Sequence, residues 1–349
     1  MSFQRLTVVV AACALAACAE TAPFPPPPEE VLLVVDSTAD QLSIIPTAAP
    51  NTGTDVALGA VGATPVSVAA RAGIALVPLG GADAVAVVDL AAGTVLRTIS
   101  LAAGSGATGA AIVDDSIGYV ADPGLGTVTR VNYLTGDTAA VTVGGQPRAL
   151  VFTRGKLFVL DGALDGSFEP TGASYLLVID PVTNARVATG VDSIPLPGPG
   201  NARYAAVGAD GLLYVMNVGK SASGEGRLSI VNPVTREELA NFGGFGNSPG
   251  GVATAGELLY VASRSEGLMV FDTHARELLR GAGEGVAIAQ NSAVATDAAG
   301  RIYALSAGPC SGAAGAQAHI LRSDLVEQGT IPLAECALAA VVATIPNAP

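Results

Sequence analysis

The sequence has little charge and few aromatic side chains. Only 13% of its 349 residues are charged, 4% are aromatic, and tryptophan is absent. A coiled coil needs many more glutamates, lysines and arginines. A disordered chain carries more charge and fewer apolar residues than the 50% present here. The composition therefore predicts a folded protein in which most strands or helices are buried.

Positive charge is scarcer than negative charge, and several functional motifs are absent. The chain has 17 lysines and arginines against 30 acidic residues, a net charge of −13, which argues against a nucleic-acid partner. Its two histidines, His274 and His319, are far apart and have no ligand spacing to a cysteine. We find no phosphate loop, nucleophile elbow or haem-attachment motif. No apolar run reaches the roughly 18 residues of a membrane-spanning helix.

The first thirty residues resemble an export signal followed by a spacer. A basic start precedes the apolar run Leu6–Ala17, so residues 1–17 are predicted to be a signal peptide. The sequence LAAC ending at Cys18 resembles the lipobox of bacterial lipoproteins, which implies a lipid on Cys18. Ordinary signal peptidase cleavage is the alternative. Ala19, in place of an inner-membrane aspartate, implies the outer membrane by the same resemblance. Residues 18–30, with a run of prolines, are predicted to be an extended tether.

The rest of the chain, residues 31–349, is a repeat array of strand-like segments. Short apolar, β-branched runs alternate with Gly, Pro, Asn and Asp, and no helical period of useful length appears. Seven segments begin alike, at intervals of 39–56 residues. Their aligned positions are Val34, Leu76, Tyr119, Phe158, Tyr214, Tyr260 and Tyr303.

A second strand follows each opening strand, and six of the seven end in Asp or Asn. A short carboxylate or amide at this place accepts hydrogen bonds from the backbone two residues on and starts a tight turn. The first repeat has Pro46 there instead. The six turn residues are Asp89, Asn132, Asp180, Asn232, Asp272 and Asp324.

Four strands repeated seven times predict an all-β fold, a seven-bladed β-propeller of four-stranded antiparallel blades. The repeats resemble the YVTN/YncE-like propellers of bacterial envelopes, and that resemblance implies an envelope protein. Val31 begins at the second strand of a blade, whereas the apolar run at 337–344 is a lone innermost strand. We therefore expect this C-terminal strand to complete the first blade in a one-plus-three closure, which removes an unpaired edge.

Loop length differs between the two sides of the predicted ring. Loops from the second to the third strand, and from the fourth strand to the next blade, emerge on one side, which we call the loop face; the other side is the turn face. Long loops on a rigid scaffold commonly carry recognition, although neutral insertions are an equal alternative here. The long segments are all on the loop face: 161–174, 192–201, 219–226, 243–249 and 306–318.

The loop face also holds the candidate site residues. We expect a binding surface centred on blades four and five, with Asp161, Asp165, Glu169, Lys220 and Asn247 as its candidate polar residues. The first three are a weak candidate for a calcium site, because their spacing is not that of an EF-hand and a solvated acidic loop is the simpler interpretation. We otherwise predict no metal and no cofactor.

Two cysteines remain after the signal peptide and Cys18. An even pair in an exported protein predicts a disulfide, here Cys310–Cys336, with two free thiols as the alternative. Both fall on the loop face of the last blade, so the bridge would link the last blade to the point where the ring closes.

These features favour a non-catalytic binding or scaffold module, expected to be monomeric. Its expected partner is an envelope protein, a peptide or a polysaccharide, and its contact with the membrane is through the lipid alone. The alternative is a lactonase-like or other hydrolase with a central-channel site. Against that alternative, the innermost strands are apolar and the histidines are scattered.

Overall fold

The computed structural model describes residues 28–59, 61–311 and 315–346 of the chain. The predicted signal peptide, Cys18 and nearly all of the predicted tether lie outside these residues. Within the described ranges, none of the helical structure is long and apolar enough to cross a membrane.

Strands make up almost all the regular structure, as the alternation of apolar runs and turn residues predicts. A single 3₁₀ turn, Gly80–Ala82, accompanies them in the described part of the chain. The strands are β1 Glu29–Asp36, β2 Gln41–Pro46, β3 Thr54–Ala57, β4 Ala69–Arg71, β5 Ile74–Leu79, β6 Ala84–Asp89, β7 Thr94–Ser100, β8 Ala110–Ile112, β9 Ile117–Asp122, β10 Thr127–Asn132, β11 Thr138–Thr142, β12 Pro147–Thr153, β13 Lys156–Asp161, β14 Ser174–Asp180, β15 Ala185–Arg186, β16 Ser193–Leu196, β17 Ala202–Val207, β18 Leu213–Asn217, β19 Arg227–Asn232, β20 Glu237–Phe242, β21 Pro249–Ala255, β22 Leu258–Ser263, β23 Gly267–Asp272, β24 Glu277–Arg280, β25 Asn291–Thr296, β26 Ile302–Ser306, β27 Gln317–Leu321, β28 Glu327–Pro332 and β29 Ala337–Ile345.

These strands form seven antiparallel blades around a central channel, which confirms the predicted fold class. We letter the strands of a blade a to d from the channel outward. Blade 1 has the order β29-β1-β2-β3, and blades 2 to 7 follow along the chain from β4 to β28. Strand β29 pairs along all of β1, from Glu29 opposite Ile345 to Asp36 opposite Ala337. The chain therefore enters and leaves the ring side by side, at the turn face.

The a-strands of neighbouring blades contact one another all the way round the channel. Glycine is required where they approach most closely. A Cβ at Gly109 would lie 2.6 Å from the backbone oxygen of Arg148, and one at Gly250 would lie 2.6 Å from that of Ser292. Hydroxyl groups tie the same strands together, since Thr108 Oγ1 donates to the Arg148 oxygen at 3.0 Å. The small residues of these strands are thus explained by packing.

Each blade buries both of its faces. Adjacent residues of a b-strand point to opposite neighbours: Leu33 packs against blade 2, while Leu32 packs against blade 7. One hydrophobic cluster fills each of the seven gaps between blades. Burial on both faces explains why strands read as continuous apolar runs and why the whole sequence is so apolar.

The turn face is built on the predicted Asx turns, which the structure confirms at all six positions. In each case the side-chain oxygen accepts a hydrogen bond from the backbone nitrogen two residues later. The N–O distances are 2.9 Å at Asp89, 3.0 Å at Asn132, 3.0 Å at Asp180, 2.8 Å at Asn232, 2.9 Å at Asp272 and 3.2 Å at Asp324.

Two boundaries differ from the sequence-based prediction. The ring begins at Glu29, inside the predicted tether, because Glu29 and Glu30 already pair with β29. The outer strand of blade 4 is split into β15 and β16, both paired with β14, so the predicted loop 192–201 contains a strand. The insertion between β15 and β16 interrupts the edge of the blade without breaking its pairing.

Candidate ligand-binding site

A cavity of about 640 Å³ opens at the loop-face end of the central channel. All seven a-strands, or the residues leading into them, contribute to its wall. Two of the predicted loops reach over it: the b–c loop of blade 4 through Ser167–Glu169, and that of blade 5 through Gly219 and Ser221. The volume lies within the range of small-molecule sites.

The cavity is lined by both apolar and polar groups. Val68, Ala110, Leu150, Val252 and Leu338 form apolar parts of its wall and come from five different blades. These apolar parts agree with the small, aliphatic character of the a-strands. The rim carries hydroxyl groups and three arginines, Arg148, Arg203 and Arg264.

The three arginines come from three consecutive blades. Arg148 and Arg203 are each the second residue of an a-strand, β12 and β17, and Arg264 lies in the b–c loop of blade 6. Within the described residues none of the three has a carboxylate oxygen within 4.0 Å. The one acidic residue lining the cavity there is Glu169. The rim is therefore locally cationic in an acidic protein.

Arg148 is held in place by its neighbours rather than by a counter-charge. Its Nη2 donates to Gln146 Oε1 at 3.2 Å, and its guanidinium carbon lies 4.8 Å from the centre of the Phe168 ring. Burial lowers the pKa of Arg148, and the positive charge of Arg203 lowers it further, while Asp161 partly opposes both. The guanidinium is thus a partly desolvated cation beside a second cation.

Phe168 lies at the tip of the loop that covers the cavity. It is 62% exposed and its φ of 63° is in the left-handed region, which a phenylalanine rarely adopts. Asp165 fixes this tip: its Oδ1 accepts from the backbone nitrogens of Ser167 at 2.8 Å and Glu169 at 3.1 Å. The loop thus holds an apolar ring largely exposed to solvent in a strained backbone conformation. Such strained conformations are often found at functional sites.

Asp161, predicted as a binding residue, is buried beneath the loop. Its Oδ1 accepts from the backbone nitrogen of Ala163 at 2.8 Å. A Cβ at Gly145 would overlap the carboxylate, so glycine is needed opposite it. Burial raises the pKa of Asp161, and burial together with that carboxylate raises the pKa of Tyr175 to about 12. Asp161 therefore supports the loop from below.

Of the other three candidate residues, Glu169 and Asn247 join neighbouring loops. Glu169 Oε2 lies 3.4 Å from the backbone nitrogen of Ser221, which links the loops of blades 4 and 5. Asn247 Oδ1 accepts from the backbone nitrogen of Gly224 at 2.5 Å. Lys220 has an exposed side chain beside this junction. The structure thus brings Glu169 to the cavity, while Lys220 and Asn247 lie behind its rim.

The structure does not bring the three residues of the weak calcium candidate together around one point. Among the described residues, no group of three His, Cys, Asp or Glu side chains is placed to hold a metal ion, and this includes Asp161, Asp165 and Glu169. The physical reason is that Asp161 is buried under the loop, while Asp165 is occupied by backbone nitrogens of its own turn.

The predicted disulfide is confirmed. Cys310 and Cys336 are bonded, with their Cα atoms 4.4 Å apart. Cys336 directly precedes β29, and its backbone oxygen accepts from Ser37 of blade 1 at 3.1 Å. The bridge therefore joins the last blade to the strand that closes the ring.

Sequence reasoning missed both the arginine cluster and a set of acidic residues that clasp the loops. In blades 1, 2 and 6 an acidic residue just before the c-strand accepts backbone hydrogen bonds from the loop that leads to the next blade. The bonds run from Gly62 and Thr64 to Asp40, from Gly104 and Gly106 to Asp83, and from Gly283 to Glu266. The sequence does contain a signal for these bonds, because an acidic residue stands directly before the c-strand in all three blades.

Comparison with known proteins supports the fold alone. No protein-family model and no curated protein sequence matches the chain. Among solved structures, Kuenenia stuttgartiensis hydrazine synthase is similar with a TM-score of 0.64 and 13% identity, over 79% of this chain and 89% of that one. The computationally designed Ika8 protein has a TM-score of 0.59 and 13% identity, over 88% of this chain and 86% of that one.

Proposed function

We propose that this protein is a lipid-anchored, YVTN/YncE-like binding module of the bacterial envelope whose loop face receives a protein, peptide or polysaccharide partner without catalysis. The observation that carries the proposal is the cavity at the loop face, framed by loops that are themselves tied together across blades 4, 5 and 6. Loops held in this way keep their shape for recognition at little cost in entropy on binding.

The chemistry around the cavity favours binding over hydrolysis. Propeller hydrolases of the lactonase kind use clustered histidines or carboxylates in the channel. Here the described lining offers the single carboxylate Glu169 and no histidine. Elemental analysis of the purified protein tests this alternative, since a stoichiometric metal ion would favour the hydrolase.

The position of the partner is tested by photo-crosslinking in the native envelope. A photoreactive amino acid is placed at Phe168 on the loop face, and at Val182 on the turn face as the matched control, because both side chains are well exposed, at 62% and 92%. We expect specific adducts, identified by mass spectrometry, from position 168 only. Adducts from position 182 alone would contradict the proposed binding face.

The anchor is tested by a Cys18→Ser substitution. We expect the variant to leave the membrane fraction while the unaltered protein stays in it, because the thioether can form only on the cysteine. A Cys18→Ser protein that remains membrane-bound would contradict lipid anchoring.

A further inference from the structure

The cationic rim of the channel is unusual for this chain. The protein has 17 lysines and arginines against 30 acidic residues, yet three arginines meet at one cavity lined, within the described residues, by one carboxylate. Five described arginines have a carboxylate oxygen within 4.0 Å, as Arg71 has that of Asp115 at 3.4 Å on the turn face. The three rim arginines are among the described arginines that have none, and they differ from the others in lining one cavity.

The positive charges of Arg148 and Arg203 repel each other, which lowers stability unless a negative charge lies nearby. Among the described residues, Arg148 Nε is buried without a hydrogen-bond partner, and Nη2 bonds to the neutral amide of Gln146. A desolvated cation without a counter-ion lowers stability. An anionic group between the two guanidiniums would offset both the desolvation and the repulsion through charge-assisted hydrogen bonds.

The other residues that line the cavity indicate which chemical group the anion would carry. The a-strands contribute valine, alanine and leucine side chains to the lining of the cavity, together with glycines and hydroxyl groups. A fully hydrated inorganic ion gains nothing from that wall, whereas an apolar group buries surface there at about 25 cal/mol per Å². The guanidinium carbon of Arg148 lies 4.8 Å from the centre of the Phe168 ring, and this cation–π contact favours the position of the side chain at the rim.

We propose that the channel mouth binds a small amphipathic organic anion, whose carboxylate or phosphate group lies between Arg148 and Arg203 and whose apolar part enters the channel. This inference rests on the proposed function, because the channel mouth lies within the proposed binding face. It adds the chemical class of ligand, which neither the fold nor the loops specify.

Isothermal titration calorimetry on the purified full mature chain in a non-ionic maltoside tests the proposal. The probes are octanoate and octyl phosphate, with acetate and inorganic phosphate as head-group controls and 1-octanol as the tail control. We expect at least one of the two amphipathic anions to bind at least tenfold more tightly than any control. The tighter of the two identifies the head group as carboxylate or phosphate.

Three variants locate the site. Arg148→Gln and Arg203→Gln are each expected to weaken binding of the preferred probe at least tenfold, while Arg71→Gln, a matched arginine on the turn face, leaves it unchanged. Arg203 is exposed, so its substitution keeps the test valid if the Arg148 variant is unstable. Binding that survives the Arg148→Gln/Arg203→Gln double substitution in a folded protein would overturn the proposal.

The controls separate this proposal from the broader one. Equal affinity for the preferred probe and for its own head-group control, acetate or inorganic phosphate, would overturn the amphipathic ligand. No binding of any probe, together with retained crosslinks from position 168, would overturn the anion site and leave the binding face standing. Anion binding without crosslinks at position 168 would support the site and contradict a macromolecular partner there.

Discussion

The two faces of the ring use the same kinds of polar residue in opposite ways. On the turn face, six Asx turns repeat one local structure, and their side chains are satisfied by backbone nitrogens close in sequence. On the loop face, acidic residues are buried under loops of different lengths or reach across to another loop. The turn face is where the chain repeats itself, and the loop face is where its blades differ.

Asp161 and Asp180 show the contrast within a single blade. Burial raises the pKa of Asp161 at the loop face. The backbone nitrogen of Val182 lowers the pKa of Asp180 at the turn face, and Lys156, at 3.1 Å, lowers it further. One carboxylate is tolerated by the fold, whereas the other stabilises it.

Removing the closing strand should have the largest effect, because it abolishes the ring on which both faces depend. A chain ending at Cys336 leaves β1 without its partner along the channel. We expect the loss to be comparable with the whole free energy of unfolding of a domain, about 5–15 kcal/mol. Thermal unfolding followed by circular dichroism measures it. A chain lacking residues 346–349 is the control, and a truncated chain that melts like the control would contradict the role of β29.

Breaking the disulfide should destabilise the loop face at the closure. On the loop-entropy model, a bridge with a sequence separation of 26 contributes about 3.5 kcal/mol. A Cys310→Ser/Cys336→Ser double variant should lose that amount in urea unfolding. The unaltered protein in reductant is the control and should match the variant. If reductant left its midpoint unchanged, the bridge would have no stabilising role.

The smallest expected effect is the pH dependence of stability due to single carboxylates, and it has opposite signs on the two faces. The pKa of Asp161 is raised in the folded state, so the unaltered protein loses stability as pH rises from 3.8 through the folded pKa. Asp161→Asn avoids this loss. Its free energy of unfolding should therefore exceed that of the unaltered protein by about 1 kcal/mol at pH 7. The lowered pKa of Asp180 gives stability that is present above 3.8 and lost as pH falls through the folded value.

Asp180→Asn should therefore lose stability relative to the unaltered protein as pH rises from 3 to 5, by well under about 1 kcal/mol because solvent screens a carboxylate at the surface. Urea unfolding of both variants between pH 3 and 7 measures the pair. Parallel pH profiles for the two variants would contradict the contrast between the faces.

The turn face could be predicted residue by residue, whereas the binding rim could not. Asp272 forms its Asx turn from atoms two residues apart, so the local sequence is sufficient. Arg148 and Arg203 are far apart in sequence and meet only because two a-strands are adjacent in the ring. Each of the two arginines is the second residue of an a-strand. This common position can be recognised only when the innermost strands are aligned with one another. The split of β15 from β16 has no comparable repeat signal.

For the proposed lipid-anchored protein, the pairing of Glu29 with Ile345 also sets the side of the ring from which the tether leaves. The chain enters the ring at the turn face. A lipid on Cys18 would then place the membrane on that side, within about 40 Å, since a chain spans at most roughly 3.5 Å per residue. Arg148, Phe168 and the open channel would face away from the bilayer. Partners embedded in the same membrane would meet the uniform turns, and the channel would receive what arrives from the aqueous side.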